Sequence, residues 1–208
     1  MTAPDDSLTG WTDALAAPTA TPAGGSAAAI GGALAASLVE MVATLTRGRE
    51  SYAGIRSEAA AAAEQAAGLR RRLMELAAED ATAFDDVMTA LGLPRGTEAE
   101  IARRNAARSD ALKGAASVQY ELLLLAGQTT ELAEALVERG LRSAIGDAAS
   151  AVFLAVAACR SAYWAIRSNL RRIYDDPEAD RLAAAALGRL ELVEALERRV
   201  QLLLGKRV

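Results

Sequence analysis

Residues Pro22-Ala23-Gly24-Gly25-Ser26 run without a break into Ala27-Ala28-Ala29-Ile30-Gly31-Gly32-Ala33-Leu34-Ala35-Ala36. Two glycines, a serine and then an apolar-periodic run mark a loop that turns into a helix, with Ser26 or a neighbour as N-cap. First-turn amides have no carbonyl partner inside their own helix and carry the positive end of its dipole. Gly24, Gly25 and Ser26 therefore offer a seat for a carbonyl, carboxylate or phosphate. The same three residues also read as a start signal and nothing more. Behind them, Ile30, Leu34, Leu38, Met41 and Leu45 form a bulky stripe, while Ala28, Gly32, Ala35 and Val39 form a flat face that another helix can approach closely. The loop is too short for a Walker motif and no lysine follows its glycines, so nucleotide binding is not indicated.

Hydrophobic residues make up 52% of the 208-residue chain but aromatics only 4%, and much of the remainder is alanine, a composition for packed helices rather than a β-sandwich. A formal charge of −4 argues against a nucleic-acid surface. Arg70-Arg71-Arg72, the longest basic run, reads as a solvated helix face. The lone Cys159 has no internal disulfide partner and fits a reducing compartment as an inert core thiol. Residues 1–10 hold acids and no basic residue, which is not a secretory signal, and the expected location is cytoplasmic. Ser37 and Glu40 interrupt the apolar run that begins at Ala27, so no membrane association is expected. The chain has no histidine, which removes His-ligated zinc, a Ser-His-Asp triad and the usual neutral-pH acid/base group together. Any proton transfer falls to carboxylates, Lys or Arg, hydroxyls or the substrate's own nitrogens.

Leu8, Trp11 and Leu15 predict a short amphipathic helix that packs on the rest, followed by a linker at residues 18–22. The first long helix covers about residues 26–46 and ends at Arg47-Gly48-Arg49. A second runs from about residue 50 to 91, with room for a bend near Gly68 and a stop at Pro94 and Gly96. In it, Leu69, Leu73, Leu76, Asp80, Ala83 and Val87 alternate in steps of four and three, which puts Asp80 on a core-facing stripe. A carboxylate there is costly unless paired, hydrogen-bonded or protonated, and is either a satisfied buried Asp or a functional one. Asp85 and Asp86 fall on solvated faces.

Thr97-Glu98-Ala99-Glu100 is a capping box opening a helix towards Arg139-Gly140, deepest at Leu122 to Leu125. Asp147 can cap the next helix. There Val152, Val156, Cys159, Tyr163, Ile166 and Leu170 make a large stripe, and Ala151, Ala155, Ala158, Ala162, Ala165 and Asn169 a small one. Asn169 is either a helix-end cap or a polar group set against a ligand. Asp176-Pro177-Glu178 starts the last helix, whose core face is Leu182, Ala186, Leu190, Val193, Leu196, Val200 and Leu203. The expected fold is a single all-α domain, residues 1–208, of about five long helices, with residues 1–22 as an arm and linker.

Taken together, Pro22-x-Gly24-Gly25-Ser26-Ala27-Ala28-Ala29, Met41-Val42-Ala43-Thr44-Leu45-Thr46, Glu79-Asp80-Ala81 with Phe84, Leu93-Pro94, Ile145-Gly146-Asp147 and Ile166-Arg167-Ser168-Asn169-Leu170 resemble the cyclodeaminase/cyclohydrolase family. The resemblance runs from about Leu8 onward. It implies an all-helical fold that pairs as a homodimer and acts on a one-carbon unit held by tetrahydrofolate nitrogens. The substrate is then a tetrahydrofolate derivative, either 5,10-methenyl-tetrahydrofolate opened by water or 5-formimino-tetrahydrofolate losing ammonia, with no metal and no permanently bound cofactor. On this likeness Asp80 and Asp147 are the catalytic candidates, Asp80 as acid/base or cation-stabilising group and Asp147 lining the pocket with Asn169. Gly24, Gly25 and Ser26 would bind substrate oxygens, and Arg47 and Arg49 the anionic glutamate tail. Ala23, Gly146 and Ala165 stand where the family usually has Gly, Ser and Asn, and Arg47 and Arg49 where it usually has lysines. Two other functions fit the same residues: a diverged relative that opens or closes an imine or amidine ring on a non-folate substrate, and a catalytically silent helical dimer that binds or scaffolds.

Overall fold

A computed structural model describes residues 7–173 and 175–207. Among them six α-helices follow one another: α1 (Leu8–Ala16), α2 (Gly24–Arg47), α3 (Arg56–Leu91), α4 (Glu98–Arg139), α5 (Ile145–Leu170) and α6 (Pro177–Arg207), with no strand. Five of these are long, as the apolar periodicities predict. The acidic residues 1–6 lie outside the described part.

Caps set the boundaries where the sequence supplies them. Thr97 Oγ1 accepts from the Glu100 amide at 3.2 Å while Glu100 Oε2 accepts from the Thr97 amide at 3.0 Å, the reciprocal capping box. Asp176 Oδ1 accepts from the Glu178 and Ala179 amides ahead of Pro177. Two starts differ from expectation. The N-cap of α2 is Ala23, with no side-chain hydrogen bond, because the Ser26 hydroxyl points elsewhere. Asp147 sits inside the first turn of α5, which opens at Ile145 behind Ala144 rather than at Asp147. The expected helix from residue 50 is divided: Glu50–Ile55 forms a 3-10 turn with a non-helical Tyr52, and α3 then runs unbroken through Gly68.

Cross-helix contacts fix the topology. Gly32 faces Leu73 and Ala158, Ser26 meets Asp80 and Thr46 meets Leu141 just before α5, so α2 lies antiparallel to both α3 and α5. Asp80 meets Gln119, making α3 and α4 antiparallel. Along α6, Asp176 meets Lys113, Arg189 meets Glu131 and Arg199 meets Glu134, a rising order that makes α6 parallel to α4. The result is an up-and-down bundle of α2 to α5 with α6 laid against α4 and α5. At its lower end Thr46 Oγ1 accepts from the Leu141 amide at 3.0 Å, tying α2 to the α4–α5 connection.

The core is alanine-rich, and the flat face of α2 enters it: Ala28, Gly32, Ala35 and Val39 are buried. The bulky stripe of α2 remains largely outside, with Leu34 51% and Leu45 43% exposed. By length and composition α2 and residues 142–170 are apolar enough to cross a membrane, yet half of each such window is buried inside the bundle. Cys159 is fully buried, and burial pushes its thiol up to about 12, so it stays protonated and inert as expected. The amphipathic arm behaves differently from its prediction. No residue of α1 is buried and Leu8 is 70% exposed, so α1 does not pack its apolar face into the protomer's core.

Candidate active site

Leu73 and Leu76 are fully buried, Ala83 and Val87 nearly so, and Asp80 continues their stripe half-buried at the point where α3 meets the first turn of α2. Its carboxylate is held from two sides. Oδ2 lies 2.9 Å from the Ser26 hydroxyl and Oδ1 accepts from Gln119 Nε2 at 2.6 Å. Ser26 and Gln119 are each 1% exposed, so both anchors are rigid. The Ser26 hydroxyl has a second acceptor within reach, the Ala77 carbonyl at 3.0 Å. One proton cannot serve two acceptors at full strength. The hydroxyl is therefore shared between the carboxylate and the Ala77 carbonyl.

Gly25 completes the contact. A β-carbon there would overlap both the Gln119 amide and the Asp80 carboxylate, so glycine is required by close approach. The Gly24, Gly25 and Ser26 amides begin α2 and meet no acceptor among the described residues. Gln119 Oε1 is buried without a hydrogen-bond partner. Free amides, a carboxylate and an orphan carbonyl oxygen thus converge at one end of the bundle, where a ligand with both donors and acceptors would satisfy them.

Beside this cluster Arg72 joins α3 to α4. Its guanidinium grips Glu121 through Nε at 2.7 Å and Nη2 at 3.0 Å, and also Glu79 and Glu75. Hydrogen bonds donated to Glu121, Glu79 and Glu75 hold Arg72 still more firmly charged, and Arg72 in turn keeps the Glu121 carboxyl below the usual carboxylate range. Arg70 pairs with Glu40 at 3.0 Å, so only Arg71 of the basic run is the solvated residue expected.

The remaining expected site residues divide by position. Asn169 is half-buried near the C-terminus of α5, and the antiparallel α2–α5 register brings that end level with Gly25. Its backbone carbonyl accepts from the Arg172 amide. Arg47 and Arg49 are exposed at the opposite end of α2, about 35 Å along its axis. Asp147 is exposed at that same far end, in the first turn of α5. Within one protomer, therefore, Asp80 and Asp147 do not form a pair, and the two arginines do not reach Asp80. Gln119 was absent from the sequence-based set although its signal is of the same kind as that of Asp80. Leu112, Ala116, Gln119, Leu123 and Ala126 alternate by four and three, a polar residue in an apolar stripe.

Among the described residues no group of three or more Cys, Asp and Glu side chains is placed to hold a metal ion. The sequence profile described as Formiminotransferase-cyclodeaminase matches residues 7–187. The chain is 37% identical over 196 residues to a methenyltetrahydrofolate cyclohydrolase of Methylorubrum extorquens, covering 94% of each chain. It is 30% identical to the mouse formimidoyltransferase-cyclodeaminase, of which it spans 37%. The solved structure of a formiminotetrahydrofolate cyclodeaminase from Thermotoga maritima superposes with a TM-score of 0.81 at 28% identity, covering 97% of this chain and 94% of that one. Fold, length and sequence agree: the chain belongs to the formiminotransferase-cyclodeaminase family.

Proposed function

We propose that this protein is a folate one-carbon enzyme that opens the methenyl bridge of 5,10-methenyl-tetrahydrofolate with water, the chemistry named for the relative it matches along nearly its whole length. Deamination of 5-formimino-tetrahydrofolate, the activity named for the solved relative, passes through the same kind of tetrahedral carbon and is the variant reaction. The observation that carries the reading is Asp80, a carboxylate set in an apolar stripe and anchored by the buried Ser26 hydroxyl and Gln119 amide beside the free amides of α2. Water adds its oxygen to the methenyl carbon and gives one proton to Asp80. The N5–carbon bond of the tetrahedral adduct then breaks, Asp80 returns the proton to N5, and the hydroxyl proton leaves to solvent as the formyl group forms on N10. A fixed carboxylate also favours the amidinium cation of the bound substrate. The free amides of Gly24, Gly25 and Ser26 would hold its carbonyl oxygens.

The functional unit on this reading is the whole chain, residues 1–208, as one domain paired into a homodimer. Leu34, Met41 and Leu45 leave an apolar row on the surface of α2. Two copies packed antiparallel along that row about a two-fold axis near Leu38 would bring the partner's far end of α2 level with Gly24 to Ser26. The partner's Arg47, Arg49 and Asp147 would then form the outer wall of the site, which accounts for their distance from Asp80 in a single protomer.

The test is the decay of 5,10-methenyl-tetrahydrofolate absorbance with wild type and Asp80→Asn. Acceleration by the wild type, reduced about 10²–10⁴-fold in a variant that keeps its circular dichroism, is the expected outcome. A folded wild type that accelerates neither this decay nor the loss of ammonia from the formimino substrate overturns the folate reading.

A further inference from the structure

Along the α3–α4 seam from Asp80 lies a cavity of about 260 Å³ lined by Val87, Leu91, Arg108, Leu112 and Arg172. Seven residues along a helix return to nearly the same face and advance roughly 10 Å. The step is the same on both walls, from Asp80 to Val87 on α3 and from Gln119 to Leu112 on antiparallel α4. The cavity therefore lies two helical turns from the carboxylate along the same α3–α4 seam.

Its lining combines apolar walls with two guanidinium groups. Val87 and Leu112 are buried and Leu91 is half-buried. Arg108 Nε is buried and has no hydrogen-bond partner, and neither Arg108 nor Arg172 pairs with a carboxylate among the described residues. Arg72, Arg160, Arg189 and Arg199, by contrast, each grip glutamates. Arg104, one turn before Arg108, donates Nε to the Leu91 carbonyl at 3.1 Å and adds a third positive charge at the rim. A buried N–H without an acceptor is costly, and that cost disappears when an anion arrives. In a chain of net charge −4, this local excess of positive charge inside an apolar cleft is specific to an acidic ligand.

We infer that this cleft is the subsite for the carboxylate-bearing tail of the ligand whose reacting carbon lies at Asp80. The inference rests on the folate reading above and assigns the glutamate tail to Arg108 and Arg172 rather than to Arg47 and Arg49. An aryl-amide spacer matches the roughly 10 Å between Asp80 and the cleft, and its ring would lie on Val87, Leu91 and Leu112.

The experiment is equilibrium binding of folic acid and of pteroic acid, which lacks the glutamate, to wild type, Arg108→Gln and Arg172→Gln. Wild type is expected to prefer folic acid by roughly tenfold or more, and each variant to lose most of that preference while its affinity for pteroic acid stays the same. Arg172 is exposed, so its replacement tests the cleft without endangering the fold. Equal wild-type affinity for the two probes, no binding of either, or a parallel loss of both in the variants overturns the inference. Because the readout needs no turnover, a protein that prefers folic acid but leaves methenyl-tetrahydrofolate untouched loses the proposed reaction and keeps the subsite. Turnover without a tail preference has the reverse meaning.

Discussion

A β-carbon at Gly25 would overlap the Gln119 amide and the Asp80 carboxylate, whereas one at Gly24 would meet nothing within 4 Å. Neither glycine has a positive φ, so the contrast is one of space and not of backbone strain. Gly25→Ala is expected to cost about 1–3 kcal/mol by forcing the anchors of Asp80 apart, and to abolish turnover. Gly24→Ala stays within about 0.5 kcal/mol of wild type. Urea unfolding midpoints beside the methenyl assay distinguish the two. At this scale Asp80 was legible because a charge in a stripe of Leu, Ala and Val is an anomaly that periodicity exposes. Gln119 gives the same signal more faintly, since an uncharged amide is cheaper to bury than a carboxylate. The double use of the Ser26 hydroxyl was not legible: its two acceptors lie 51 and 54 residues away.

Between elements, Arg72 is the clamp that keeps α3 and α4 in the register where Asp80 meets Gln119. The Glu121 carboxyl is lowered from 4.5 by this arginine, so the folded state takes up its proton less readily than the unfolded chain does. The stabilisation is therefore complete above about pH 4.5 and is lost as pH falls through the lowered value. Arg72→Ala is expected to cost about 1 kcal/mol near pH 7 once solvent screening is counted, and the gap from wild type should close only as pH falls through the lowered Glu121 value. Urea midpoints measured across that range give the answer. Helix starts such as Thr97 with Glu100, or Asp176 with Pro177, were readable because a cap is made within four residues. The partners of Arg70 and Arg72 were not, because Glu40 and Glu121 belong to other helices. The length of α2 alone separates Gly24 from Arg47, and a motif read along the chain does not show that its two ends face opposite ends of a bundle.

For the whole molecule, the apolar row on α2 and the division of the expected site residues between its two ends lead to the same arrangement. Leu34→Glu is expected to turn a dimer into monomers in sedimentation and to lower activity with them. Mixing Asp80→Asn with Asp147→Asn chains gives a sharper result. In a two-fold pair each hybrid holds one intact site, so random exchange should restore about a quarter of wild-type activity from two inactive parents. A site confined to one protomer restores none.

Consecutive helices are neighbours throughout the bundle, but α2 also closes on α5, and Thr46 Oγ1 accepts from the Leu141 amide, 95 residues away, just before α5 begins. Closure over that span has the highest loop entropy in the chain and comes late in folding, after the local α3–α4 hairpin has formed. Any loosening of that closure on warming would draw Ser26 and Gly25 away from Asp80 while the helices themselves persist. Turnover should fail several degrees below the loss of far-ultraviolet circular dichroism. Enzyme activity would then be the most sensitive thermometer of the first step of unfolding.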